Sequence, residues 1–235
     1  MQSIKVDAKF SNCLRQGDEL LVTSDGRSYN SHSILHVDSV DKETGDVVLE
    51  QQMERVFPSE AGPGEAMFAV EIALLRRDVI FEAEVNPEVD PGVDPNGHLI
   101  GGHSTIFHTP TVVQTIQGVK FENFGQQGII GRYPIHFHKS GLSPSLVSKN
   151  VITRSNHRCV FIHDTDGVTI DDNVAFDNSG HCYATETGNE RNNVFSNNLG
   201  AFTKKLQLAN GDSDSPEGHS TGTAIFWIRN MENTL

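Results

Sequence analysis

The sequence lacks the features that mark several classes of protein. Three cysteines in 235 residues are too few for a disulfide scaffold. No run of 18 or more apolar residues exists, so we predict no insertion into a membrane. The first residues, MQSIKVDAKFSNC, contain no apolar segment of the kind found in signal peptides, so none is predicted. The chain is nevertheless long enough to bury a substantial core.

Positive charge is also scarce, with 18 Lys and Arg against 31 Asp and Glu and a net charge of −13. Such a balance disfavours nucleic acid, and we predict no nucleic-acid partner. Acidic residues are in turn absent between Glu122 and Asp164, where basic side chains and histidines gather. This window predicts an anion-binding surface, although a merely solvated charge cluster is the alternative. Its residues are Arg132, Lys139, Lys149, Arg154, Arg158, His136, His138, His157 and His163.

The sequence pattern of residues 1–97 predicts a β-rich region. Short strand-like runs such as SILHVDSVD (33–41) are broken by Gly, Asp and Asn. The segment NPEVDPGVDPNG (86–97) is rich in Pro, Asp and Gly, which predicts a loop or a boundary. We therefore expect one domain at 1–97 and a second at 98–235.

The second region contains internal repeats of 20–32 residues. Four units share an initial valine, followed four places later by Asn or Ser and six places later by Gly or His. Short β runs with recurring Asn and Gly, few leucines and no helical period indicate the coils of a right-handed parallel β-helix, an all-β fold. The four valines are expected in one inward column, and stacked Asn side chains in hydrogen-bonded ladders. They are Val119, Val151, Val174 and Val194.

A second strand follows the turn in two of these units, CVFIHDTDG (159–167) and CYATETGN (182–189). A spacing of 23 residues places Cys159 over Cys182, as a small apolar column or, alternatively, a disulfide. The same spacing places His163 over Glu186 in an outward column, since side chains alternate between faces.

The position of PIHFH (134–138) leaves two registers open. If it pairs with CVFIH, Ile135 and Phe137 point inward and His138 joins the outward column with His163. If instead GIIG (128–131) is the second strand, PIHFH belongs to a third face and the column loses His138. The recurrence of apolar-x-apolar-His in both strands favours the first register.

Two imidazoles and a carboxylate, His138, His163 and Glu186, suit a divalent metal with open positions for water or substrate. His103 could contribute from the preceding coil. Zinc, manganese or calcium are the ions considered, and a hydrogen-bonded cluster without metal is the alternative.

Several motifs in fixed order resemble the cell-migration-inducing hyaluronidase and cell-surface hyaluronidase family, with its fibrocystin-like relatives. The similarity is good over about residues 65–230 and weak before them. The motifs are GGH (101–103), GQQGIIGRYPIHFH (125–138), HRCVFIHDTDG (157–167), GHCYATETGNERN (180–192) and TAIFWIRN (223–230).

The resemblance implies a right-handed parallel β-helix, an extracellular or cell-surface location, and metal-dependent cleavage of hyaluronan. It carries over seven residues, which are His103, Arg132, His136, His138, His163, His181 and Glu186. One motif departs from the family: HFH is followed here by KSGLSPS, with no acid until Asp164.

We therefore expect a site that binds an anionic polysaccharide. Glu186, Asp164 and His181 are the candidate catalytic residues, and Asp166 is another nearby carboxylate. Arg132, Lys139, Arg158 and His136 are the candidate substrate-binding residues, with Arg132 gripping a carboxylate as a fork. A hydrolase needs an acid and a base, and a lyase needs a base for the C5 proton. The alternative, favoured by the missing acid after HFH, is a non-enzymatic glycan- or protein-binding module. The sequence indicates no oligomeric state.

Overall fold

The computed structural model describes residues 2–23, 32–52, 70–84, 99–108, 112–205, 223–230 and 232–234. The loop predicted at 86–97 lies outside these residues. The chain forms two compact units, Met1–Arg76 and Arg77–Leu235.

The first unit contains one antiparallel sheet in the order β1-β4-β3-β2-β5. A short helix follows the first strand, and it begins where the Asp7 carboxylate accepts a hydrogen bond from the Phe10 amide. Alternating apolar residues such as Leu35 and Val37 fill the core of the unit. The elements are β1 (Gln2–Lys5), α1 (Ala8–Cys13), β2 (Glu19–Val22), β3 (Ser33–Val40), β4 (Asp46–Leu49) and β5 (Ile72–Leu74).

The second unit consists of short strands that stack as coils. They are β6 (Val79–Glu82), β7 (Thr105–Ile106), β8 (Thr115–Gln117), β9 (Val119–Glu122), β10 (Ile135–Leu142), β11 (Leu146–Ser148), β12 (Val151–Thr153), β13 (Val160–Asp166), β14 (Thr169–Asp171), β15 (Val174–Ser179), β16 (Tyr183–Thr185), β17 (Val194–Ser196), β18 (Leu199–Lys204) and β19 (Phe226–Trp227).

These strands form three sheets in which successive coils pair in parallel. The first sheet has the order β19-β16-β13-β10-β7, the second β17-β14-β11-β8, and the third β18-β15-β12-β9-β6. Every third strand along the chain returns to the same sheet, one coil further on. This is a parallel β-helix, as the repeats predicted.

The β-helix begins earlier than the sequence indicated. Strand β6 pairs in parallel with β9, with Val79 opposite Val119 and Phe81 opposite Phe121. The units consequently divide between Arg76 and Arg77 rather than at residues 97 and 98. A single apolar-rich run, IALLRRDVIF, supplies the last strand of the first unit and the first strand of the second, which is why its composition shows no boundary.

The interior of the β-helix is filled by the apolar side chains that point inward from each of the three sheets. Phe137 and Ile162 point inward from the first sheet, and Ile152 and Ala175 from the third. Cys159 and Cys182 are buried there as free thiols, so they belong to the apolar column and form no disulfide.

An asparagine ladder closes one corner of the coils. The Asn150 amide nitrogen donates to the Asn173 side-chain oxygen at 3.0 Å, and Asn173 donates in turn to Asn198 at 2.9 Å. Each Asn also donates to a backbone carbonyl, for example Asn173 to Val147. The predicted asparagine ladder therefore exists. The repeat alignment stacks Asn198 on Asn178, but in the structure Asn198 stacks on Asn173.

The predicted valine column is only partly correct. Val151 lies opposite Val174, but it pairs with Lys120 rather than Val119. Val194 lies in the second sheet, opposite Thr169. The error arises because residues 193–194 and 198–199 are both an Asn followed by an apolar residue, and the second pair continues the third sheet.

The coils turn at more residue types than Asn and Gly. Asn123 and Arg154 directly follow the third-sheet strands β9 and β12, whereas Asp177 and Phe202 lie within β15 and β18. All four adopt positive φ between 51° and 58°. This left-handed conformation bends the backbone locally, and the stacked hydrogen bonds of neighbouring coils hold it even at Arg and Phe.

Candidate functional site

Two histidines of strand β10 face outward on the first sheet. Ile135 and Phe137 are fully buried in the core, so the alternation of side chains directs His136 and His138 to the opposite face. His138 lies opposite His163 of β13. The structure thus has the first of the two registers that the sequence left open.

Three imidazoles converge on this face. Ring nitrogens of His136, His138 and His163 all lie within 4.8 Å of one another. The Nδ1 atoms of His138 and His163 are 3.1 Å apart, and the rings of His136 and His163 are parallel, with centroids 6.3 Å apart. His136, which the sequence placed beside the metal ligands as a substrate contact, is therefore a member of the cluster.

His136 is held in one tautomer. Its Nδ1 donates a hydrogen bond to the Gly131 carbonyl at 2.9 Å, which leaves a lone pair on Nε2. That Nε2 is buried and has no hydrogen-bond partner within the described part of the chain. Burial lowers the pKa of His136 to about 4, against a smaller opposing effect of the Gly131 carbonyl, so the ring is neutral at physiological pH.

His138 is also disposed toward its neutral form. Partial burial is the main cause that lowers its pKa, and the neighbouring His163 adds to the effect. Neutral imidazoles that present lone pairs to one point are what a metal ion requires.

Two carboxylates approach His163 from different sides. The Glu186 oxygen Oε2 is 3.2 Å from His163 Nδ1, and the Asp164 oxygen Oδ2 is 3.4 Å from Nε2. Glu186 lies on the coil that follows the coil of His163, as the 23-residue spacing predicted. Its backbone amide donates a hydrogen bond to the Ile162 carbonyl, which holds it there. The structure therefore assembles the predicted outward column.

Asp164 is fixed by the loop that follows Glu186. Burial alone would raise the pKa of Asp164, but hydrogen bonds from Asn189 and Thr187 outweigh it and lower the pKa. The Thr187 hydroxyl is 3.1 Å from the Asp164 carboxylate and shares its single proton between Asp164 and Glu190. Asp164 is consequently ionised at neutral pH.

Glu190 organises the same loop, and sequence reasoning missed it. Its buried carboxylate accepts hydrogen bonds from the amides of Asp164, Thr187 and Gly188 and from the Thr187 hydroxyl. Burial opposes the charge, yet these donors lower the pKa of Glu190 overall. No repeat pattern marks this residue, because most of its partners, on Thr187 and Gly188, lie within its own loop.

An open cleft of about 460 Å³ adjoins the histidines. Arg132 is exposed in its wall, and its guanidinium donates to His103 Nε2 at 2.9 Å. Burial, followed by the charge of Arg132, lowers the pKa of His103. His103 thus orients Arg132 and is not one of the three clustered histidines. The cleft is lined by His103, Thr105, Phe107, Ile130, Gly131, Arg132, His136 and His138.

Several predicted residues lie elsewhere. Arg158 is buried, where its guanidinium donates to the Tyr133 hydroxyl and packs over the Phe161 ring at 4.1 Å, so it does not form part of the surface. His181 is buried beneath Trp227, with ring centroids 4.8 Å apart.

Two more predicted residues have different surroundings. Lys139 is exposed beside His138, as expected. Asp166 accepts from the Arg191 amide at 2.7 Å and so helps to close the coil.

The fold and this face define a class: a parallel β-helix with a histidine–carboxylate cluster on the outer face of one sheet. The CEMIP beta-helix family matches residues 99–235, more than half of the chain. The chain belongs to that family.

Individual relatives agree with this assignment. Cell surface hyaluronidase of Danio rerio is 32% identical over 193 residues, which covers 70% of this chain and 14% of that protein. Protein rliB of Dictyostelium discoideum is 32% identical over 184 residues, covering 73% and 15%. The human cell migration-inducing and hyaluronan-binding protein is 28% identical over 198 residues, covering 70% and 14%.

The chain spans only 14–15% of the length of these relatives. Within the described residues, no helix has the length and apolar character needed to cross a bilayer.

Proposed function

We propose that this chain binds an anionic polysaccharide of the hyaluronan type at the His136–His138–His163 face, holds a divalent metal there, and cleaves the polymer. The observation that supports this most strongly is the convergence of three imidazoles beside Glu186 and an open cleft that contains Arg132. Two relatives are named for hyaluronan, which fits the same class of ligand.

The residues fit a metal ion. His136 presents a buried Nε2 lone pair, and its Nδ1 hydrogen bond to Gly131 is the type of support that metal-binding histidines receive. His138, His163 and Glu186 would complete the ligands. Imidazole-rich sites favour zinc over calcium, which prefers oxygen ligands. A divalent ion there would neutralise the carboxylate of a uronic acid.

The protein's own groups supply the remaining chemistry. Arg132 can hold a substrate carboxylate with two parallel hydrogen bonds. Asp164, which stays ionised, suits the base for hydrolysis. Glu186, on the other side of His163, would serve either as the fourth metal ligand or, where the three imidazoles alone hold the metal, as the proton donor. In a lyase, ionised Asp164 would instead accept the C5 proton. We propose an extracellular or cell-surface setting, as the name of the zebrafish relative suggests.

Incubation with a panel of uronic-acid polysaccharides tests the proposal. Samples would be treated with chelator and then resupplied with zinc, manganese or calcium, and the products sized. We expect shorter products only with metal. Ultraviolet absorbance of an unsaturated product would indicate a lyase, and its absence alongside cleavage a hydrolase.

His163→Ala should abolish both metal uptake and cleavage while the circular dichroism spectrum is unchanged, because His163 points away from the core. His36→Ala, in the first unit, is the matched control and should retain both. Cleavage that survives complete chelation, or metal uptake equal in the two variants, would contradict the proposed site.

A non-enzymatic binding module is the second possibility. The segment after HFH, KSGLSPS, contains no carboxylate, which supports binding without cleavage. Metal-dependent binding of the polymer with no change in its size would establish this alternative.

A further inference from the structure

The outward column of the first sheet extends beyond the histidines in both directions. Ile106 lies opposite Phe137, which places Phe107 beside His138, and their ring centroids are 5.8 Å apart. At the other end, the Arg229 amide donates to Thr185 and its guanidinium donates to the Glu186 carbonyl at 2.7 Å. An aromatic side chain and an arginine therefore flank the cluster on opposite sides.

Trp227 accompanies Arg229 at that second end. It lies opposite Ala184, in the outward column that also contains His136 and Phe161. One face of its ring stacks on His181, and the Arg229 guanidinium lies 5.7 Å from its centroid. An aromatic ring with an adjacent cation matches a sugar acid, whose C–H face packs on the ring while its carboxylate pairs with the guanidinium.

The first end has the same chemistry. Arg132, oriented by His103, stands in the cleft with the exposed ring of Phe107. The histidine cluster thus has an arginine and an aromatic residue on each side. Between the outer strands β7 and β19 there are four coil steps, which at a spacing of about 4.8 Å amount to about 19 Å.

We propose that Trp227 and Arg229 form a second cationic subsite, and that the polysaccharide lies along the axis of the β-helix from Arg132 to Arg229, across the histidine cluster. This inference rests on the proposed function. A pyranose residue advances an extended chain by about one coil step. The face therefore accommodates about four to five sugar residues, with uronate carboxylates held at both ends.

Binding of hyaluronan oligosaccharides of increasing length tests this arrangement. Calorimetry on the metal-loaded full chain should show affinity that rises from two to about four or five sugar residues and has levelled off by about six. Arg229→Ala and Trp227→Phe should remove most of the gain between short and long oligosaccharides, weakening the long ones about fivefold or more. Affinity for the disaccharide, held at the Arg132 end, should stay the same.

The dependence of affinity on oligosaccharide length distinguishes direct sugar binding by Arg229 from an indirect effect of Arg229 on the histidine cluster. If Arg229 acted only by positioning Glu186, its loss would weaken short and long oligosaccharides equally, and the inference would be wrong. Lys204→Ala, which removes a positive charge from the third sheet, is the control and should change neither. Failure of the unaltered chain to bind even long hyaluronan would instead overturn the proposed function, and the second subsite with it.

Discussion

At the scale of single residues, His136 illustrates how a binding group is prepared before its ligand arrives. The Gly131 carbonyl fixes the proton on Nδ1, and burial favours the uncharged ring. Leaving Nε2 buried without a hydrogen bond costs stability, typically about 1–3 kcal/mol. Such a cost is characteristic of functional positions, where a ligand replaces the missing partner.

The low pKa of His136 predicts a loss of stability in mild acid. In metal-free protein, the unfolded chain takes up a proton near pH 6.5, whereas the native His136 does so only near pH 4. The free energy of unfolding should therefore fall as the pH drops between these values, by up to about 3 kcal/mol, and change no further from this source below them.

Denaturant titrations at several pH values would measure this loss. His136→Asn keeps a donor for the Gly131 carbonyl but cannot titrate, so its stability should depend less on pH over the same interval. An identical pH dependence in the variant and the original protein would contradict the prediction.

At the scale of elements, the loop 186–190 determines where the carboxylates stand. Strand pairing fixes His138 and His163. Glu186 follows the end of β16, Asp164 adopts a left-handed conformation within β13, and the Glu190 carboxylate accepts the amides of Asp164 and Thr187. The geometry of the site thus depends on a fully buried carboxylate that is not itself a member of the histidine cluster.

Glu190→Gln should destabilise the protein by about 1–3 kcal/mol. Both carboxylate oxygens accept backbone amides, so the amide group of Gln would turn a donor toward a donor at Thr187 or Gly188. Hydrogen exchange at these two amides should accelerate, and metal affinity should fall. Glu232→Gln, an exposed partner of Arg191, should change stability by less than about 0.5 kcal/mol.

The asparagine ladder should also contribute strongly to stability. Asn173→Ala removes bonds to Asn150, Asn198 and the Val147 carbonyl in a fully buried position, and should cost at least about 2 kcal/mol in chemical denaturation. Asn12→Ala, at an exposed position in the first unit, should cost far less. Equal losses would show that the ladder is not a main source of stability.

At the scale of the molecule, the basic window forms a smaller positive surface than its residue count suggests. Arg154 pairs with Glu122, which also binds Lys120, and Arg158 is buried. Arg132 and Lys139 remain exposed near the cleft. The predicted positive surface is thus corrected to a local one within a chain of net charge −13.

Polyanion binding should therefore weaken only several-fold when ionic strength rises from about 0.05 M to about 0.5 M, because few exposed charges are screened. Arg132→Gln should reduce both the affinity and its salt dependence. Arg154→Gln removes the same charge outside the site and should leave both unchanged. Binding that does not respond to salt would contradict an electrostatic contact with the polymer.

The sequence by itself determined the β-helix and the outward column of His138, His163 and Glu186. Both follow from local rules: coil lengths of 23 and 25 residues set which strands stack, and alternation of side chains sets which residues face outward. These rules act within one coil or between adjacent coils, so residue spacing in the sequence is enough to predict their result.

The tertiary structure alone decided which neighbours complete the site. Three features involve loops that differ from coil to coil: the burial of Arg158 against Tyr133 and Phe161, the pairing of His103 with Arg132, and the support of the 186–190 loop by Glu190. A repeat pattern carries no information about such loops. The shift of Val194 into the second sheet has a related cause, since two similar Asn-apolar pairs compete and only the stacking of the whole coil selects between them.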